Sequence, residues 1–214
     1  MHQEQVHVPV NGVSLEGELT IPEAAQGLVI FVHGSGSSRF SPRNNYVARA
    51  LTDAGLGTFL FDLLTHSEDQ VYANRFDIPL LTKRLITVTR WLEGKSEARG
   101  LRIGLFGAST GAAAALRAAA ELGQEVQAVV SRGGRPDLAG DVLDQVRAPT
   151  LLIVGGLDDG VIQLNQEALD RLPGEKRLEI VPGATHLFEE EGKLEQVAEL
   201  ATQWLRGHLM PGDE

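Results

Sequence analysis

Six short, continuous apolar runs separated by helix-like segments constrain this chain more than any other feature. The runs are Leu28 to Val32, Gly57 to Phe61, Leu101 to Phe106, Ala128 to Ser131, Thr150 to Val154 and Arg177 to Val181. Strands buried on both faces look like this, because neither face has to carry polar residues. Between and after them come Asn45 to Ala54, Ile78 to Glu93, Thr110 to Leu122, a short Leu138 to Val146, Ile162 to Leu172 and an amphipathic Leu194 to Leu209. Strands alternating with helices predict an α/β fold, a doubly wound and mostly parallel sheet covered on both sides. The start of the chain differs. Gln5 to Val10 and Val13 to Ile21 alternate on either side of Asn11-Gly12, a two-residue turn signal, so an antiparallel hairpin comes first and brings the expected strand count to about eight. The longest irregular piece, Leu63 to Asp77, is polar and too short to build a large helical lid.

With 214 residues, 43% apolar and 22% charged, and no repeat or low-complexity tract, residues 1–214 read as one domain. A net charge of −10 repels nucleic acid and anionic membrane alike, so neither is expected as a partner. The complete lack of cysteine excludes disulfides, thiolate metal sites and a cysteine nucleophile. Serine or threonine must then carry any covalent chemistry. Met1 to Val10 lacks a basic segment followed by an apolar one, and no apolar run approaches the roughly 20 residues that span a bilayer, so a cytoplasmic enzyme is expected. Composition leaves the oligomeric state open.

Gly107-Ala108-Ser109-Thr110-Gly111 directly follows one predicted strand and directly precedes an alanine-rich helix. A serine that attacks a carbonyl must project from a tight strand-to-helix turn, and such a turn accepts only small residues two positions to either side. The helix start also adds partial positive charge beneath Ser109. The competing reading, a serine that merely caps the helix, needs neither glycine for chemistry.

Serine alone is unreactive and needs a base. In the strand-turn-helix arrangement the chain order runs nucleophile, acid, histidine, and only His186 and His208 lie downstream. His186 follows a predicted strand through Pro182-Gly183-Ala184-Thr185, at the carboxyl edge of the sheet where such sites gather. His208 closes the last helix and reads as a surface residue. The acid should end a strand lying between the two, where its carboxylate fixes the imidazole tautomer. Asp158 and Asp159 both qualify, whereas Asp137, Asp141 and Asp144 read as caps or surface charges.

An oxyanion hole needs two N–H groups, each worth about 3 kcal/mol of barrier. Thr110 supplies one by position, and Ser35, with Gly36 second, supplies the other from His33-Gly34-Ser35-Gly36-Ser37-Ser38. That loop has neither the lysine of a phosphate-binding P-loop nor a G-x-G-x-x-G spacing. His33 reads as the structural residue that orients it. Arg132 and Arg135 either grip a substrate carboxylate or pair with local acids such as Asp137. Asp62 and His66 either line the pocket or belong to a solvated turn, and Glu189 to Glu191 read as an acidic lead into the last helix.

On these stretches, together with Ser131 to Asp137, Leu152 to Asp158 and Gly183 to Phe188, the chain resembles the α/β-hydrolases over nearly its whole length, and more narrowly their dienelactone hydrolase-like branch. The resemblance implies a sheet of about eight strands, no cofactor, no metal, and triad roles on Ser109, Asp158 and His186. The choice of Asp158 over Asp159 comes from Gly155-x-x-Asp158-x-x-Val161, which is similar to the acid loop of related hydrolases. One position departs: dienelactone hydrolases proper use cysteine at the elbow, where this chain has serine. The resemblance therefore implies cleavage of a general carboxylic ester or lactone through an acyl-enzyme. Thioesterase or acyltransferase chemistry, or binding of a small molecule without turnover, would fit the same machinery.

Overall fold

A computed structural model describes residues 1–210. Eight strands, β1 (His2–Val10), β2 (Val13–Ile21), β3 (Gly27–Val32), β4 (Gly57–Phe61), β5 (Arg102–Ala108), β6 (Val126–Arg132), β7 (Thr150–Gly155) and β8 (Lys176–Val181), form one sheet. Their order is β1-β2-β4-β3-β5-β6-β7-β8. From β4 to β8 each pair is parallel, while β2 runs antiparallel to both β1 and β4. Six helices accompany them: α1 (Pro42–Asp53), α2 (His66–Asp69), α3 (Ile78–Glu93), α4 (Thr110–Leu122), α5 (Asp159–Arg171) and α6 (Lys193–Leu209).

The hairpin forms as its turn dictates. Asn11 and Gly12 have φ of 46° and 85°, the pair of positive angles that a two-residue hairpin turn requires, and Val10 pairs with Val13 across it. Val6, Val8 and Val10 then share the buried face with Leu15, Leu19 and Ile21. The parallel strands β3 to β7 are buried on both faces, and each face has its own core. One packs β-strand side chains against α3, α4 and α5, the other against α1 and α6. Alanine-rich α4 lies deepest, because methyl side chains let its backbone approach the sheet closely.

Three segments differ from their sequence reading. β8 ends the sheet and is largely exposed, since no strand lies beyond it. Pro136–Gln145 winds as 3-10 turns broken at Gly140 (φ 70°, ψ −133°) instead of an α-helix. Leu63 to Asp77 is not structureless: it holds α2 and a 3-10 turn at Tyr72–Phe76. There Thr65 and Glu68 form a reciprocal cap, and buried Arg84 of α3 grips both oxygens of Glu68 and the Leu63 carbonyl. Among the described residues no helix is long and apolar enough to cross a membrane.

The chain leaves β3 for β4 on one side and later enters β5 on the other. Loops that depart in opposite directions open a crevice at the carboxyl ends of β3 and β5, where ligands of such sheets bind.

Candidate active site

Ser109 stands alone between β5 and α4 with φ 51° and ψ −122°. A non-glycine residue held there costs on the order of 1–3 kcal/mol, which the packing around it must offset. The two glycines are required by space. A Cβ on Gly107 would fall 2.5 Å from Ala112 Cα, and one on Gly111 would fall 2.2 Å from the Val32 carbonyl oxygen. Ser109 makes no capping bond with its side chain, so the capping alternative does not describe it.

The acid and the base sit on two adjoining loops that lock together. The N–H groups of Gly156 and Leu157 donate to the carbonyls of Val181 (2.8 Å) and Ala184 (2.9 Å). A side chain at Gly155 would collide with the Ala184 carbonyl at 2.4 Å. Across this seam Asp158 Oδ2 lies 2.6 Å from His186 Nδ1, with Asp158 18% and His186 38% exposed. Asp159, the other candidate acid, instead starts α5. The segment after β6 joins this pair to the elbow. Ser109 N donates to the Arg132 carbonyl and Arg135 N donates to the Ser109 carbonyl, both at 3.1 Å. The Cβ position of Gly133 is 3.4 Å from His186 Cε1. Among the described residues Ser109 Oγ makes no hydrogen bond to the imidazole, whose Nδ1 is turned to Asp158.

On the other side of Ser109 lies the loop after β3. His33 Nδ1 bonds the Gly34 carbonyl at 2.9 Å, and its Nε2 accepts the N–H of Leu63 at 3.0 Å. This pattern fixes the neutral Nδ1–H tautomer, and burial pushes the ring's pKa below its ordinary value. His33 thereby ties the loop to the end of β4, as its structural reading expects. The N–H of Ser35 donates to Thr110 Oγ1 at 2.9 Å. Thr110 opens α4, so its own N–H has no carbonyl to bond within the helix.

The two arginines after β6 part company. Arg135 is bound bidentately by Asp137 at 2.8 and 2.7 Å, whereas Arg132 is buried and bonds Asn44 Oδ1 at 3.2 Å. Desolvation, and then the charge of Arg43, bring the Arg132 pKa down to about 10. Glu190 accepts from the N–H and hydroxyl of Thr185, bracing the loop of His186, and Glu189 pairs with Arg43 at 3.2 Å. Reading the acidic triplet as a lead into α6 misses both roles: Glu189 pairs with a residue 146 positions away, and Glu190 turns back to Thr185, five residues before it, in place of facing α6. Asp62 and His66 line a cleft of about 400 Å³ with His33 and Arg39, but Ser109, Asp158 and His186 do not border it. His208 packs on Trp204 and bonds its carbonyl at 2.7 Å, remote in role from the site. The one described cluster with metal-ligand geometry, His2, Glu4 and Glu97, involves the edge strand, and Lys95 already bonds Glu4.

A parallel sheet preceded by a hairpin, a serine at positive φ between strand and helix, and an Asp-His pair on the loops after β7 and β8 define an α/β-hydrolase. Comparison with known proteins narrows the class. Residues 15–207 match the model of the dienelactone hydrolase family, and the chain belongs to that family. The crystal structure of a dienelactone hydrolase from Anabaena variabilis is 54% identical, covers 97% of this chain and 98% of its own, and superposes with a TM-score of 0.94. Est1E from Butyrivibrio proteoclasticus shares the fold at 16% identity and a TM-score of 0.82, over 95% and 98% of the two chains. A Mycobacterium tuberculosis protein that carries the provisional name of a phosphoribosyl transferase is 58% identical over 209 residues. Those residues are 98% of this chain and 47% of that protein, so the chain spans about half the length of the curated relative.

Proposed function

We propose that this protein is a serine hydrolase that cleaves a carboxylic ester or lactone through Ser109, His186 and Asp158. The observation that carries the reading is the 2.6 Å bond from Asp158 Oδ2 to His186 Nδ1, made on the side of the ring away from Nε2, beside a serine held at positive φ. With Nδ1 engaged, Nε2 is the nitrogen left to take the Ser109 proton as Oγ attacks the carbonyl carbon. Contact between Ser109 and the ring then closes around bound substrate, since such bonds often tighten only in the complex. The tetrahedral oxygen lies between the N–H groups of Thr110 and Ser35, and the Ser35 amide shares itself between that oxygen and Thr110 Oγ1. Collapse expels the alcohol with the proton from His186. Water activated by the same nitrogen then releases the acid and restores Ser109.

No cofactor or metal is required for these steps, and the ligand is a small molecule. The transferase name of the mycobacterial relative belongs to a protein about twice as long and is not carried to this site. The test is Ser109→Ala. It should abolish both turnover of short p-nitrophenyl esters and covalent labelling by a fluorophosphonate. Esterase activity persisting near the wild-type rate would remove Ser109 from the mechanism, and an unlabelled, inactive wild type would mark the protein as a binder.

A further inference from the structure

We infer that β8 is a docking surface for a second copy of this chain, with the two β8 strands paired antiparallel about a two-fold axis at Leu178 so that the two sheets become one. Among the described residues β8 is the last strand of the sheet, and only β7 pairs with it. The Thr150 N–H donates to the Glu175 carbonyl, and the Gly156 N–H to the Val181 carbonyl. A strand residue points its N–H and C=O to the same side, and successive residues alternate. The odd-numbered residues therefore serve β7, while the N–H and C=O groups of Lys176, Leu178 and Ile180 face the open edge. Such a row is a template for another strand.

Edge strands are commonly guarded by charge, lysine above all. Here Lys176 is folded back, its Nζ donating to the Leu172 carbonyl at 2.7 Å, and Ile180 is left 38% exposed. Arg177 and Glu179 pair with each other on the opposite face of the strand. These charges select the occupant and the register. Only even-numbered residues can bond across the open edge, so a pair of β8 strands must be centred on a residue of β8. A centre at Arg177 sets two guanidinium groups opposite each other, and one at Glu179 sets two carboxylates so, both unfavourable. Centres at Lys176 or Ile180 overlap less of the strand. A centre at Leu178 places Arg177 opposite the partner's Glu179, and Glu179 opposite the partner's Arg177, at the non-hydrogen-bonded positions where facing side chains lie closest. Lys176, Leu178 and Ile180 then regain both of their backbone bonds. Beside the Arg177 face a groove of about 310 Å³, lined also by Leu200, Trp204 and His208, adds side-chain area to the contact.

Sedimentation velocity over a dilution series is the experiment. Wild-type protein should reach twice the mass of the single chain as concentration rises. Glu179→Arg sets only positive charges across the two-fold and Arg177→Glu only negative ones, so each variant alone should associate about tenfold more weakly or worse. Mixed in equal amounts, the two variants should recover a dimer, because every facing pair is then opposite in sign. Ile180→Pro removes a donor from the open edge and none from the β7 ladder, and should weaken the dimer likewise. Melting temperatures identify the folded variants, and the charge exchange decides alone if the proline variant does not fold. A wild type that stays monomeric throughout would leave the edge to another occupant and overturn the inference, as would a dimer unmoved by both single charge changes. Charge variants that weaken the dimer yet fail to combine when mixed would overturn the register at Leu178.

Discussion

Asp158 accepts from His186 Nδ1 at 2.6 Å, while Asp159, its immediate neighbour, turns away to begin α5. The two carboxylates therefore make unequal contributions. Asp158→Asn replaces the acceptor with an amide that favours the wrong imidazole tautomer, and kcat should fall on the order of 10³–10⁴-fold. Asp159→Asn removes only a favourable charge in the first turn of a helix and should stay within a few-fold of wild type. Steady-state kinetics on one p-nitrophenyl ester decide the matter, and a larger loss at Asp159 would move the acid.

Ser109 stores backbone strain at φ 51°. Glycine adopts that angle freely, although it also adds entropy to the unfolded chain. The strain is the larger effect, so Ser109→Gly should gain about 1 kcal/mol and melt about 2–4 °C above Ser109→Ala, with both variants inactive. Calorimetric midpoints of the two proteins supply the check, and a glycine variant that melts no higher would show the turn to be unstrained.

Glu68 carries the acid sensitivity of the segment after β4. The hydrogen bonds from Arg84 hold its carboxyl at about 2, below the ordinary 4.5. A folded-state value below the unfolded one means stability that is fully present above about pH 4.5 and fades as pH falls towards about 2. Glu68→Gln should therefore lower the melting temperature at pH 7 and flatten its decline between those limits. Parallel melting curves for variant and wild type over that window would refute the assignment.

Strands β3 to β7 were legible because burial on two faces leaves an unmistakable apolar run, and Asn11-Gly12 announced its own turn. Reading began to fail where tertiary partners decide. Asn45 gave way to Pro42 as the start of α1, since Ser41 accepts from Asn44 N and proline suits a first turn. Tyr72–Phe76 and α2 have no periodicity to find, and Arg84 reaches them from a helix sixteen residues beyond Glu68. In the site, Ser109 and His186 stood out by chain order, but Asp158 could be separated from Asp159 only through resemblance.

Under the proposed mechanism, the bond from the Ser35 amide to Thr110 Oγ1 means that an incoming oxygen must share that N–H with a resident acceptor, not fill a gap. A neutral carbonyl oxygen arriving there would compete with another uncharged acceptor for the same N–H and gain almost nothing. An oxygen that has acquired negative charge draws the same N–H about twice as strongly. On that proposal the resting contact would discriminate between ground state and transition state, so that its benefit falls on turnover while substrate affinity is left nearly untouched.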